Sequence, residues 1–454
     1  MTGPADSRVR APHVKRRALL GLLSTGSLGG VLGAACGTGG DTGAAPATRT
    51  LAPTTVEVYY NHWGGRTTAP MEGVIVPALT ARFPQITVEL VQKNAIAALI
   101  AAVTAGQPPS IAYMGAAQVV TAVRGDLAVT LDDHLKAWGQ ANDFYPAALD
   151  QARWKGNLHG LPVVGLPNAY FWRLDLLQAN GIQQPPKSLE ESLDTVRRVA
   201  RAEGGTVTRQ GLVPRQPQFE LFNALRGMGL PLARGGKSIF NGPEGLAMLQ
   251  YQIDRGTLNE PPGAATQPVQ GNPLGLGAWA GGYGHYANLV NETQVGTPEA
   301  YRSLVVGPSL VPDGSRYRAP AGKPWKPSVF TFHDWYLLVK QAKVQDQAWE
   351  VLKHLTAPEA MFTFNEGIGT TPLRKSLEGK GYLAETQPKQ LLAAYVREGQ
   401  PQSKYPLPQV LNPAFENPVI DAINRKISAR EALDQAARAW DEHMAREDFK
   451  EDIT

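Results

Sequence analysis

From residue 56 to residue 123 the sequence alternates short β-branched runs with helical ones, and this alternation constrains the fold more than any other feature. Val56-Glu57-Val58-Tyr59-Tyr60, Ile86-Thr87-Val88-Glu89-Leu90-Val91 and Ser110-Ile111-Ala112-Tyr113-Met114 read as strands. Residues 69–82, stopping before Phe83-Pro84, the Ala-rich 94–105, stopping at Gly106, and 116–123 read as helices. Strands alternating with helices of this length imply βαβ units and a largely parallel sheet, hence an α/β fold. Ligands of such sheets sit beyond the carboxyl ends of the strands. The candidates on that rule are Asn61, His62 and Trp63 after the first strand, Lys93 and Asn94 after the second, and Met114 and Gly115 at the end of the third.

The start of the chain is of another kind. Residues 15–37, KRRALLGLLSTGSLGGVLGAACG, join a charged start to an apolar stretch and then to small residues before Cys36, the pattern of an export signal. The stretch from Ala18 to Ala35 is too rich in Gly, Ser and Thr for a lasting transmembrane helix. Arg16-Arg17 before Ala18-Leu19-Leu20 resembles a twin-arginine signal, with Lys15 where Ser or Thr is usual. Gly33-Ala34-Ala35-Cys36 resembles a lipobox, with Gly33 in place of Leu. Cys36 is the single cysteine, so no disulfide holds the chain together. It is expected to carry acyl chains, each buried methylene contributing about 0.8 kcal/mol to membrane anchoring. The alternative is cleavage by the ordinary signal peptidase, with Cys36 a bystander. Residues 1–35 are then the signal peptide and 36–53 a flexible tether with a reach on the order of 20–25 Å.

Charge fits removal of the signal. The chain has 44 basic and 40 acidic residues; taking away Arg8, Arg10, Lys15, Arg16, Arg17 and Asp6, which precede Cys36, leaves 39 of each. A formally neutral mature protein gives no reason to expect nucleic acid as a partner. About 400 residues remain, too many for one core, so two domains are expected. Farther on, Ser188 opens a helical pattern over 189–202 behind Pro185-Pro186, and Ser428 opens one over 429–446 with Ala432, Leu433, Ala436 and Trp440 on one face.

Several stretches resemble, in order along the chain, the extracellular solute-binding proteins of ABC importers, in particular the large sugar-binding, maltose-binding-protein-like type. His159-Gly160-Leu161-Pro162, Asp175-Leu176-Leu177, Gly181-Ile182 and Pro185-Pro186-Lys187-Ser188 match its pattern, while Arg173 replaces the usual Asn. Asn241-Gly242-Pro243-Glu244-Gly245, Ala348 to Thr356 with Pro358-Glu359, Thr371-Pro372-Leu373-Arg374-Lys375-Ser376 and Ser428 to Leu433 match later stretches. The resemblance implies a two-lobed periplasmic-binding-protein type II-like fold with three interlobe crossings. The lobes expected are 54–165 with 330–375, and 168–328 with 376–454. It implies solute capture in the interlobe cleft, hinge closure, and delivery unchanged to the membrane subunits of a permease. The expected protein is a monomer outside the cytoplasm, in a periplasm or on the outer face, with no cofactor.

Matched to that family, the expected ligand set is Asn61, His62, Trp63, Asn94, Tyr113, Met114, Gln216, Gln218, Phe219, Tyr283, His285, Asp334, Trp335 and Asn412, with His333 beside them. A sugar cleft wants flat aromatic surfaces and hydrogen-bonding side chains at the rim, which this set supplies. Tyr283 is the expected stacking platform. The solute expected is a carbohydrate; the alternatives are a polyol, a glycerophosphodiester or a polyamine. No His-Glu-x-x-His and no Gly-x-Ser-x-Gly occurs, and Gly275-x-Gly277-x-x-Ala280 follows no strand. No catalytic or metal-binding residue is expected. An exported carbohydrate hydrolase stays open, because two distant carboxylates suffice for it. So does a surface receptor that has lost transport.

Overall fold

The computed structural model describes residues 52–60, 65–93, 95–214, 216–260, 265–266, 273–285, 300, 302–317, 329–398, 400–401, 407–447, 449–450 and 452–453. All fall in one unit, Leu51–Thr454. The export segment, Cys36, the tether, Asn61, His62, Trp63 and Asn94 lie outside the described residues.

The first half is built as βαβ units. Strand β1 (Thr54–Tyr60) runs into helix α1 (Gly65–Pro70), a π-helical turn (Met71–Ile75) and α2 (Val76–Arg82). Then come β2 (Ile86–Gln92), α3 (Ile96–Thr104), β3 (Ile111–Gly115) and α4 (Ala116–Arg124). β1 pairs in parallel with β2 from Thr54↔Ile86 to Tyr60↔Gln92, and with β3 at Val58↔Ile111. The expected helix over 69–82 begins earlier, at Gly65, and keeps its end at Arg82.

The chain then enters β4 (Leu161–Arg173), thirteen residues that are all buried. An apolar run without alternation is what a strand covered on both faces requires. After it come α5 (Leu189–Val199), β5 (Thr206–Pro214), α6 (Pro217–Gly227) and α7 (Pro243–Asn259). Next are β6 (Trp279–His285), β7 (Leu304–Gly307) and β8 (Phe330–Leu338). The chain ends with α8 (Gln387–Glu398), β9 (Gln400–Pro401), α9 (Leu407–Ile423) and α10 (Ala429–Arg446). Ser188 and Ser428 cap α5 and α10, each hydroxyl accepting from the backbone N–H three residues on. The expected helix over 189–202 stops at Val199 instead. Arg201–Glu203 pairs back onto β5 because Gly204 and Gly205, at φ 55° and 78°, turn the chain there.

One mixed sheet runs β5, β6, β4, β8, β3, β1, β2, with β7 on β4 and β9 on β8. Two large apolar clusters form on it. The first takes in Val56 to Leu166 and Trp335 to Val396; the second takes in Tyr170 to Tyr317 and Phe415 to Ile453. β4 supplies both, Leu161, Val163, Val164 and Leu166 to the first, Tyr170 and Trp172 to the second. Phe332 of β8 packs against both. A smaller cluster covers Ala169 and Phe171 on the other face of β4 with Leu392 of α8.

α5 lies so close on β5 that a Cβ on Gly211 would sit 2.7 Å from the Val196 Cα. Gly211→Ala must push the helix off the sheet and is expected to cost about 1–3 kcal/mol. Urea unfolding followed by tryptophan fluorescence checks this, and an unchanged midpoint would mean that α5 is free to shift.

Candidate functional site

Residues directly opposite on neighbouring strands share a face of the sheet, and alternate residues of one strand do too. The registers are Asp334↔Gly115, Asp334↔Val164, Phe332↔Leu166, His285↔Asn168 and Tyr283↔Tyr170. They put Tyr113, Asp334, Phe332, Asn168, His285 and Tyr283 on one face, along the line where the first core gives way to the second. Met114, opposite Trp335, is on the reverse face with His333. Met114 and Trp335 are wholly buried in the first core, and the Trp335 indole N–H donates to the Ala148 carbonyl at 3.3 Å.

The first turn of α6 lies over the shared face. The Phe219 ring meets that of Phe332 edge-on at 4.7 Å, and the Tyr283 hydroxyl donates to the Phe219 carbonyl at 3.4 Å. Gln216 precedes the helix, half-buried at its N-cap. Gln218, one residue before Phe219, is 0% exposed, and neither its amide oxygen nor its amide nitrogen has a hydrogen-bond partner. The expected residues Tyr113 and Asp334 meet directly, the phenol donating to the carboxylate at 2.7 Å. Asn412 falls within α9. Lys93, half a turn from the end of β2, places its ammonium over the Tyr59 ring at 5.1 Å.

A charged cluster fixes α6. Glu220, 1% exposed, takes both guanidinium arms of Arg255 at 2.5 and 2.7 Å and the Gln252 amide at 2.9 Å, and the Tyr170 hydroxyl also donates to it. Burial disfavours the Arg255 charge, and Glu220 more than reverses that, so the guanidinium stays charged. Tyr170 ties the cluster to β4, and its ring packs on Tyr283 at 4.9 Å. Asn168, Phe332 and the Glu220–Arg255 pair were not among the expected residues. Asn168 had a visible signal, a lone amide inside an apolar strand. The departure Arg173 has a structural use: it bonds Asp175 and the carbonyls of Leu274 and Gly275.

Among the described residues no cluster of His, Cys, Asp or Glu could hold a metal, and no helix is long and apolar enough to cross a membrane. The site can therefore offer amides, phenols, one carboxylate and ring edges to a polar guest.

Residues 75–385 match the family described as bacterial extracellular solute-binding protein. The chain belongs to that family. Among solved structures, it is similar to the sugar-binding protein MalE from Xanthomonas citri, with 17% identity, a TM-score of 0.73, and 87% of this chain and 98% of that one covered. It is also similar to the GacH receptor of Streptomyces glaucescens, solved unliganded and with acarbose, at 16% identity, TM-score 0.70, and 86% and 97% coverage. A third is an ABC-transporter solute-binding protein of Agrobacterium radiobacter in complex with ribitol, at 17% identity, TM-score 0.69, and 87% and 100% coverage. The α/β fold is thus the two-lobed periplasmic-binding-protein fold of these relatives, as the sequence resemblance implied.

Burial pushes the Asp334 pKa up to about 7, although the Tyr113 hydrogen bond pulls the other way. The native protein thus holds this proton more tightly than an unfolded chain, whose Asp titrates near about 3.9. Stability tied to the group is present below about pH 4 and is lost as pH rises through about 7. Asp334→Asn is expected to raise the unfolding free energy at about pH 8 by up to about 4 kcal/mol and to change nothing near about pH 4. Melting curves of both proteins across that range check the sign; an Asn variant less stable at high pH contradicts it.

Proposed function

We propose that the chain is the solute-binding component of an ABC importer, anchored to the outer face of the cell membrane by lipid on Cys36. In this reading the lobes are 54–165 with 330–375 and 168–328 with 376–454. They close on a neutral, hydroxyl-rich solute, a carbohydrate, and the solute passes to the permease unchanged. The observation that carries the choice of solute is Gln218. An amide sealed from water with neither end bonded costs about 1–3 kcal/mol. A hydroxyl, donor and acceptor at once, relieves both ends. The neighbours solved with acarbose and ribitol support a hydroxyl-bearing guest.

A second reading, an acyclic polyol, is favoured by the aromatic residues. Tyr113, Tyr283 and Trp335 are 1%, 1% and 0% exposed, so none of these rings presents an open face for a sugar to stack on.

A bound solute raises the apparent melting temperature by mass action. The full chain is expected to melt higher with maltotriose, mannobiose or ribitol, and not with spermidine. No shift with any hydroxyl-bearing compound would reject the reading. Chromatography after prolonged incubation is expected to recover maltotriose intact, whereas shorter sugars would favour the hydrolase. Gln218→Leu is expected to stabilise the solute-free protein by about 1–3 kcal/mol while abolishing the solute-induced shift. A variant that is more stable and still binds normally would remove Gln218 from the site.

A further inference from the structure

The two cores are joined by β4 and by β8. They also meet without a covalent link. α4 starts at Gly115, where β3 ends beside Asp334, and its Val119 and Ala122 belong to the first core. α10 packs Ala429 to Met444 into the second core and ends at Glu447. α9, preceding α10, touches α4. Here the Arg124 guanidinium donates to the Glu447 carboxylate at 2.6 Å, across 323 positions of sequence. The two side chains are 40% and 38% exposed. Beside them on α10 stand Arg446 and His443, the latter held below its ordinary pKa chiefly by burial, with Arg446 and Arg124 adding to the fall.

We infer that Arg124 and Glu447 form an ionic latch between the lobes, positioning residues that retain the solute without touching it. This rests on the hinge-closing reading above. An exposed ion pair within one rigid body contributes little to folding stability, because water screens it and ordering two long side chains costs entropy. A pair whose partners stand on two bodies is different. It is intact in the arrangement seen and breaks when the bodies separate, so its whole contribution is differential between the two arrangements. Only such a difference shifts an equilibrium. The pair is also half-open to water, so salt weakens it.

The test uses the full chain with Cys36→Ser and spin labels on cysteines replacing Lys136 and Arg197, one exposed helix position beside each core. Without solute, Arg124→Glu or Glu447→Lys is expected to move the interlabel distances to longer values. Arg124→Glu combined with Glu447→Arg restores the parent distribution. Raising salt from about 50 mM to about 1 M moves the parent in the same direction and moves Arg124→Glu, whose two carboxylates repel, the opposite way. Distances that do not change in the single variants, or a swap that restores nothing, overturn the latch whatever the solute. With maltotriose as probe, each single variant is expected to lose about two- to fivefold in affinity, mainly through faster release, and the swap to recover it. Equal affinity in all four proteins overturns the latch as well. If the parent fails to bind maltotriose, the carbohydrate reading fails, and the distances still decide the latch.

Discussion

The strand Leu161–Arg173 is the constraint on which the rest depends. Its thirteen buried residues lie in two cores at once, so neither core is complete without it. Full burial on both faces also demands that every backbone group be paired. Pro162 and Pro167 break that rule, since proline brings no N–H. At Pro162 the register with β8 shifts and leaves Val163 as an extra residue. Pro167, opposite Thr331, falls between the last β4 residue of the first core and the first of the second. Pro167 thus removes one ladder donor where one core hands over to the other.

Just past that point the structure becomes stiff by other means. Glu220 and Arg255 are 1% exposed, and two unit charges so placed are destabilising unless each is fully bonded. They are: two guanidinium arms, an amide and a phenol converge on one carboxylate. A fully bonded ion pair adds little net stability, but it tolerates only one geometry. Here that geometry fixes α6 against α7 and against Tyr170 of β4, and α6 carries Gln218 and Phe219 in its first turn. The polar cluster sets an orientation that apolar packing alone would leave free to slide.

Much of this was legible in the sequence, and what was not has physical causes. The βαβ order, the two serine caps and the ends of α2 and α10 follow from local rules, because capping and breaking act over three or four residues. The helix over 189–202 was overestimated because Ala200 and Ala202 keep the helical period, while the turn that ends it needs Gly204 and Gly205, beyond the window. The site divides by face. Tyr113 and Asp334 were expected and do meet, and Tyr283 does reach Phe219. Met114 and Trp335 were expected from their place at strand ends, yet strand registers put them on the reverse face, inside the first core. A strand end says where a residue lies along the sheet, not which way its side chain turns. Glu220 and Arg255 were missed because pairing across 35 residues leaves no local trace.

Several polar groups that weaken this fold stand near one place. Gln218 has two unbonded amide atoms, Asn168 an unbonded amide oxygen, His333 two unbonded ring nitrogens, and Asp334 a carboxyl pushed toward its neutral form by burial. Burial pushes His333 down to about 3, so the ring stays neutral and adds no charge to the unmet hydrogen bonds. All four stand on β4, β8 or the first turn of α6, with His333 on the reverse face of the sheet from Asp334 and Asn168. Other buried polar groups are bonded, as Glu220, Asn365 and Asn259 are, and some away from the changeover between the cores, such as Ser238 and Gln252, also keep an unbonded atom. Folding thermodynamics alone gives no reason for that placement, since apolar residues of similar size would remove the penalty. A guest that supplies the donors and acceptors missing at Gln218 and Asn168 gives one for the groups on the shared face, in keeping with the proposed closure on a solute.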